Sequence, residues 1–233
     1  MQPVAMHIAD GIINGPTAVA CAAAAVLLLG MCVVKARTDL DDRLVPMAGL
    51  TAAFIFAVQM LNFAVLPGVS GHLLGGALAA ALVGPWVGAL CVAIVLIVQS
   101  LLFADGGVTA LGLNIVNMAL IGAFVTYGVL RLLLKALPRT PAGVSAAVFV
   151  TAIVSVVAGA SGFVVEYAVG GTTSMPMPTV TGTMLGLHLL IGIGEGLITA
   201  ATVATVAKTR PDLVYALKDR MASLTPAATK GAA

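Results

Sequence analysis

Long apolar stretches joined by short polar connections run through the whole sequence, and they constrain the fold more than any other feature. They cover approximately residues 17–34, 46–66, 73–103, 109–137, 142–169 and 181–207. About 20 apolar residues are enough to cross a hydrocarbon core of roughly 30 Å as a helix. With 61% hydrophobic and 9% charged residues, the chain is predicted to be an all-α integral membrane protein with a single membrane domain.

The stretch 73–103 is ambiguous, because it fits either one long helix or two segments broken at Gly84-Pro85. If it crossed the membrane once, the basic residues at 35–43 and those at 131–139 would face opposite sides. A break places every Lys and Arg on one side, which the positive-inside rule favours. The sequence therefore predicts seven helical segments with a short third helix broken at Gly84-Pro85, an outside N-terminus and a cytoplasmic C-terminus.

The predicted third segment, residues 73–83, provides roughly 16 Å of helix and is too short to span a membrane alone. It must be enclosed by its neighbours, and Gly75 and Gly76 permit the necessary close approach. The membrane domain is assigned to residues 6–208. An N-terminal extension of residues 1–5 precedes it, and a cytoplasmic tail of residues 209–233 follows it.

Two histidines, His7 and His72, are predicted to lie on the same outer side of the membrane. A histidine that follows an N-terminal residue can bind a divalent metal through its imidazole, its main-chain amide nitrogen and the terminal amine. One further imidazole completes a ring of four nitrogens, and such tetragonal coordination suits Ni(II) or Cu(II). The pair Met6-His7, combined with His72, is therefore a candidate metal site.

Six motifs in a fixed order along the chain carry a family resemblance. They are Met6-His7-Ile8-Ala9-Asp10-Gly11, Met60-Leu61-Asn62-Phe63, Ser70-Gly71-His72-Leu73-Leu74-Gly75-Gly76, Phe103-Ala104-Asp105-Gly106-Gly107, Ala110-Leu111-Gly112-Leu113-Asn114-Ile115-Val116-Asn117-Met118 and Ile191-Gly192-Ile193-Gly194-Glu195. Over roughly residues 6–208 the sequence resembles the CbiM/NikM family. These proteins are the substrate-specific membrane components of energy-coupling-factor (ECF) cobalt and nickel importers. The resemblance implies a seven-helix fold and capture of Ni²⁺ or Co²⁺ from outside.

The resemblance also implies which atoms hold the metal. The ligands would be the amine of Met6, the amide nitrogen and imidazole of His7, and the imidazole of His72. Residues 1–5 depart from the family pattern, because a retained extension would leave Met6 without a free amine. Translation that starts at Met6 explains the extension most simply, trimming by a peptidase is the second explanation, and retention with altered binding is the third.

The resemblance implies that the energy for import comes from ATP hydrolysis on partner chains. The resemblance implies a pair of cytoplasmic ATPases, a transmembrane coupling (T) protein and often a small additional membrane subunit, all at the cytoplasmic membrane of a prokaryote. No Gly-x-x-x-x-Gly-Lys-Ser/Thr phosphate loop occurs in the sequence, so we expect no ATP site and no enzymatic activity on this chain. The sequence leaves nickel and cobalt both open, although the divalent affinity order places Ni(II) above Co(II).

Several polar side chains are candidates for supporting the metal ligands from a second layer. They are Asn62, Ser70, Asn114, Asn117, His188 and Glu195. Ionisable groups inside a membrane are costly to bury and often functional, and a metal-bound histidine is normally oriented by an outer hydrogen bond. Hydrogen bonding between helices explains the same residues equally well. Asp10 and Asp105 are expected to order the outer loops.

Two other function classes fit parts of the sequence. The stretch Gly68-Val69-Ser70-Gly71 matches the Gly-x-Ser-Gly of rhomboid-type intramembrane serine proteases, with Ser70 as nucleophile and His188 as base. The replacement Ser70→Ala would inactivate a protease but change metal binding only modestly. A metal-gated channel or sensor is the third class, and transport in cells that lack the ATPases would distinguish it from an importer.

Overall fold

This computed structural model describes residues 7–218 without 41 and 43. They form seven α-helical elements, one β-hairpin and two single-turn 3₁₀ helices, Pro211–Leu213 and Tyr215–Leu217. The helices are α1 (Gly15–Asp39), α2 (Leu44–Gln59), α3 (Gly76–Val83), α4 (Pro85–Leu102), α5 (Leu111–Ala136), α6 (Pro141–Gly170) and α7 (Met177–Thr209). The hairpin consists of β1 (Asn62–Leu66) and β2 (Val69–His72). All helices except α2 and α3 are long and apolar enough to cross a membrane, so the predicted seven-segment, mainly helical membrane fold is confirmed.

The predicted break at Gly84-Pro85 is also confirmed. Gly84 has a φ of +86°, a conformation that glycine adopts without steric cost. Pro85 opens α4, where its missing N–H group leaves no helical hydrogen bond unmade. Gly84 also makes room for Tyr215, because a Cβ added there would lie 2.8 Å from the ring atom Cζ. Helices α3 and α4 are therefore two separate elements joined by a sharp turn.

Helix α3 lies inside the bundle, and all eight of its residues are buried. Gly76 rests directly on the backbone of α5, since an added Cβ would lie only 2.8 Å from the carbonyl carbon of Gly122. Gly88 of α4 packs in the same way on the backbone of Ala79. Small residues thus allow the neighbouring helices to enclose α3, as the sequence predicted.

Helix α5 changes its winding shortly after it begins. Residues Ile115–Ile121 form π-helical turns, and regular α-helix resumes at Gly122. Such turns are rare and occur frequently at functional sites. This one contains Asn117 and Met118, both buried, and it therefore determines where two polar or polarisable side chains enter the bundle.

The hairpin was not predicted, because the apolar run after residue 46 was expected to continue as helix to residue 66. Helix α2 ends instead at Gln59, and residues 62–66 pair with β2 around a turn in which Gly68 has a φ of +76°. A side chain at Gly71 would collide with Ile191 of α7, at 2.6 Å from its Cδ1 atom. Glycine at this position therefore allows β2 to lie against α7.

Glu166 lies within a long helix, α6, and not in the connection that follows it. Helix α6 continues to Gly170, and α7 already begins at Met177. Glu166 is buried and accepts a hydrogen bond from Nδ2 of Asn117 at 2.7 Å. This partner allows a carboxyl group to lie within the helical bundle instead of in a loop.

Candidate metal site

Residues 7–14 cross one end of the bundle and are held there by three different loops. The main-chain hydrogen bonds run from Ala9 N to Gly68 O (3.1 Å), from Gly107 N to Ile8 O (2.9 Å) and from Thr172 N to Ile12 O (3.1 Å). The side chain of Asn114 adds two further bonds to the main chain of Ile8, since its Oδ1 accepts from Ile8 N at 3.2 Å and its Nδ2 donates to Ile8 O at 3.5 Å. The segment therefore has a fixed position relative to α5.

His7 and His72 are brought together at this end of the bundle. Their side chains are almost completely buried, with 3% and 4% of their surface exposed. Nδ1 of His7 lies 2.7 Å from Nε2 of His72, and the two ring centroids are 4.5 Å apart. Metal–imidazole bonds are about 2.0 Å long, so two cis nitrogens of a square-planar ion are about 2.8 Å apart. The observed separation fits two such ligands.

The remaining ring nitrogens face oxygen acceptors. Nδ1 of His72 lies 2.9 Å from the carbonyl oxygen of Leu73, and Nε2 of His7 lies 3.0 Å from Oε1 of Gln99. Rings that donate to these acceptors carry their protons on the outer nitrogens, and two unprotonated nitrogens then lie 2.7 Å apart. A bound cation would relieve their repulsion, and outer hydrogen bonds of this kind normally orient metal-bound histidines.

The two imidazoles are also kept in the charge state that binds metal. Burial lowers the pKa of His7 to about 4, although the hydrogen bond with Gln99 acts in the opposite direction. Burial lowers the pKa of His72 as well, and the nearby His7 adds to this effect. Both rings are therefore neutral near pH 7, which is the form that a metal ion requires.

The motif Asp105-Gly106-Gly107 allows the N-terminal segment to approach the loop before α5. A Cβ at Gly106, where φ is +90°, would lie 2.9 Å from Cβ of His7. A Cβ at Gly107 would lie 2.4 Å from the backbone nitrogen of Asp10. Glycines are thus needed at both positions for His7 to reach its observed place.

Two acidic side chains that were expected to order the loops lie close to this motif. Oδ1 of Asp10 accepts hydrogen bonds from both the main chain and the hydroxyl of Thr109. Oδ1 of buried Asp105 lies 3.8 Å from Nε2 of His7. Asp10 therefore joins the N-terminal segment to the loop before α5, and Asp105 places a carboxylate beside the site.

Glu195 supports the other half of the site. Its carboxylate accepts hydrogen bonds from the main-chain nitrogens of Leu74 (2.6 Å) and Gly75 (3.2 Å). Nε2 of Gln59 donates to the carbonyl oxygen of Leu74 at 2.8 Å. These contacts fix the chain between His72 and α3, so Glu195 acts on the position of His72 without touching its ring.

The other predicted supporting residues have different surroundings. Asn114 holds Ile8, whereas Asn117 is bound to Glu166 and not to a histidine. His188 directs Nδ1 towards the carbonyl oxygen of Met184 at 2.8 Å. The side chain of Asn62 and the whole of Met6 lie outside the described residues, so their predicted roles stay predictions.

The contacts of Gln99 and Gln59 were missed by the analysis of the sequence. Each residue interrupts an apolar stretch, and this is the only signal that the sequence offers.

Within the described residues, no group of three or more His, Cys, Asp or Glu side chains is arranged to hold a metal ion. A site at His7 and His72 therefore needs main-chain or terminal nitrogens to complete it.

The protease hypothesis places its nucleophile, Ser70, directly before the predicted short third segment, residues 73–83. Ser70 lies instead in β2, four positions before Leu74, and α3 begins only at Gly76. The proposed base His188 directs one ring nitrogen to a main-chain carbonyl of its own helix. The arrangement therefore lacks the element that was expected to present the nucleophile.

Comparison with known proteins gives a consistent family. The sequence matches CbiM, described as "Cobalt uptake substrate-specific transmembrane region", over residues 7–213. It is 39% identical over 209 residues to the "Putative fused nickel transport protein NikMN" of Archaeoglobus fulgidus, with 90% of this chain and 68% of that protein covered. It is 30% identical over 226 residues to the "Cobalt transport protein CbiM" of Sorangium cellulosum, with 91% and 96% covered.

The fold is shared with a solved structure described as a transition metal transporter. The two superpose with a TM-score of 0.77 at 29% sequence identity, and the match covers 94% of this chain and 99% of that chain. The family match includes His7, His72 and every helix of the bundle. The chain therefore belongs to the CbiM family and is a multi-pass membrane component of cobalt and nickel transport.

Proposed function

We propose that this chain is the ion-capturing subunit of an ATP-driven ECF-type importer and that its cargo is Ni²⁺ or Co²⁺. The observation that carries the proposal is the pair of buried imidazole nitrogens 2.7 Å apart, each on a ring whose other nitrogen faces an oxygen acceptor. The names of the relatives, which include nickel and cobalt transport proteins, support the choice of cargo.

The proposed ligand set contains four nitrogens. His7 contributes its Nδ1 and its main-chain nitrogen, His72 contributes Nε2, and Met6 contributes a terminal amine once the preceding residues are absent. A planar set of four nitrogens suits Ni(II) better than it suits ions that prefer octahedral oxygen ligands. Because the amide nitrogen must lose its proton to bind, metal uptake releases protons and weakens as the pH falls.

Capture and release have different requirements in this proposal. The N-terminal segment closes over the ion at the outer end of the bundle, where the three loops hold residues 7–14. Release to the cytoplasm follows reorientation of the whole bundle, driven by ATP hydrolysis on the partner chains. The importer thus needs the ATPase pair and the T protein, with the N-terminus outside and the C-terminus in the cytoplasm of a prokaryotic cell.

Titration of the purified chain with Ni(II) and Co(II) tests the site. The replacement His72→Ala removes one of four ligands, and we expect the Ni(II) affinity to fall at least a hundredfold. Thr205→Ala is a matched control, because Thr205 is exposed on α7 and bonds only to its own helix. Equal affinity in the His72→Ala variant and the control would refute the proposed site.

Intact-mass measurement on the same sample tests the amine ligand. A chain that begins at Met6 and carries one metal ion supports coordination by the terminal amine. A chain that retains residues 1–5 and binds equally tightly would contradict it. Transport assays in cells with and without the ATPases then separate an importer from a metal-gated channel, because only the channel would conduct without them.

A further inference from the structure

A cavity of about 40 Å³ adjoins the two histidines on the side that faces the interior of the bundle. His7 and His72 form part of its wall, and His188, Met184, Met118 and Asn117 are among the other residues that line it. These four side chains are all buried. A space of this size holds at most a few water molecules, and it is also large enough for a single metal ion.

All three histidines of the chain line this cavity, and their rings are held in a similar way. Nδ1 of His188 lies 2.8 Å from the carbonyl oxygen of Met184, just as Nδ1 of His72 lies 2.9 Å from that of Leu73. Donation to the carbonyl leaves Nε2 unprotonated in each ring. Among the described residues none hydrogen-bonds Nε2 of His188, so this nitrogen is available as a ligand.

The rest of the wall is largely apolar, but its described residues include two thioethers and no carboxylate. Met184 is one helical turn before His188 on α7, and Met118 is placed by the π-helical turns of α5. Thioether sulfur and imidazole nitrogen suit borderline and soft transition-metal ions and bind Mg²⁺ or Ca²⁺ poorly.

We propose that His188, together with His72 and a thioether of Met184 or Met118, forms a second and inner position for the transported ion. The inference rests on the proposed function. An ion that leaves Nδ1 of His7 keeps its bond to Nε2 of His72 and gains Nε2 of His188. His72 is then shared by both positions, so the ion can pass inward without becoming fully hydrated inside the membrane domain.

Replacement of His7, which belongs only to the outer position, allows binding at the inner position to be measured separately. The full-length His7→Ala variant is titrated with Ni(II), and its coordination is examined by X-ray absorption spectroscopy. We expect one weakly held ion per chain with sulfur in its coordination shell. In the double variants His7→Ala/His188→Ala and His7→Ala/His188→Gln, the residual affinity should fall at least tenfold further, and Met184→Leu and Met118→Leu together should remove the sulfur signal.

The glutamine variant guards against loss of folding, because its amide can still donate to the carbonyl oxygen of Met184. Residual Ni(II) affinity in His7→Ala that is unchanged when His188 is replaced would overturn the inner position, as would the absence of any bound ion in His7→Ala. In both cases the cavity holds water only. Failure of the wild-type chain to bind Ni(II) or Co(II) would instead refute the proposed function itself.

Discussion

Replacement of Gly106 by alanine offers the sharpest test of how the loop before α5 positions the metal site. The new Cβ would lie 2.9 Å from Cβ and 3.0 Å from Cδ2 of His7, whereas ordinary contacts begin at 3.4 Å. Relief of the contact requires a relative shift of roughly 0.5 Å. Metal–ligand distances tolerate deviations of about 0.2 Å, so the shift is large enough to disturb coordination.

Gly11→Ala is the matched control for the backbone part of this effect. Gly11 also has a positive φ, +81°, but a Cβ there meets no atom within 4 Å. Both variants therefore incur the steric cost of about 1–2 kcal/mol for an L-residue in this region, and only Gly106→Ala also displaces His7. We expect Gly106→Ala to bind Ni(II) at least tenfold more weakly than Gly11→Ala, or about 1.4 kcal/mol.

Calorimetric titration with Ni(II), combined with thermal unfolding of the metal-free proteins, measures both contributions. The unfolding temperature of Gly106→Ala should fall at least as far as that of Gly11→Ala, since the backbone cost is common to both and only Gly106→Ala adds a clash with His7. The Ni(II) affinities should differ. Affinities that agree within a factor of two would show that the loop accommodates the methyl group without moving His7, and the role assigned to Gly106 would be wrong.

Three further predictions follow from the contacts of the site. Replacement of Gln99 by leucine removes the hydrogen-bond acceptor of the His7 ring and should weaken Ni(II) binding about 10- to 100-fold, as loss of an outer partner typically does. Unchanged Ni(II) affinity would show that Gln99 does not orient this ring. Glu195→Ala leaves the N–H groups of Leu74 and Gly75 without their acceptor, and each unpaired group lowers the stability by about 1–3 kcal/mol. Thermal unfolding should therefore show a larger loss of stability in this variant than in Glu195→Gln, which keeps one acceptor oxygen. Because the pKa of His7 is about 4 in the folded protein and has its ordinary value of 6.5 in the unfolded chain, the unfolded chain binds more protons between these two values. The metal-free protein should therefore lose up to about 3 kcal/mol of stability as the pH falls from 6.5 to 4, and His7→Ala should reduce this slope.

The sequence predicted the helical architecture well because its strongest signals are unambiguous. Long apolar runs demand helices in a membrane, and the distribution of Lys and Arg required a break within residues 73–103. Glycine and proline at the break then provided a turn, and Gly84 indeed has a positive φ. These features depend on composition and local sterics, which can be read along the chain.

The hairpin and the outer hydrogen bonds of the site depend on contacts between distant residues. Residues 62–66 are short and largely apolar, and periodicity cannot distinguish a strand from the end of a helix in such a run. The acceptor of His7 is Gln99, which is 92 positions away in the sequence. Packing decides on which face of α4 the side-chain amide of Gln99 lies. The residue type alone therefore did not predict its contact with His7.

The eight residues from His7 to Asn14 set the length of chain between the candidate metal site and the first membrane helix. Their main chain is bonded at Ile8, Ala9 and Asn14, and α1 begins at the next residue. Deletion or insertion of one residue changes the length by up to about 3.8 Å, more than the whole distance between the two imidazole nitrogens. The number of residues in this segment is therefore not free to vary.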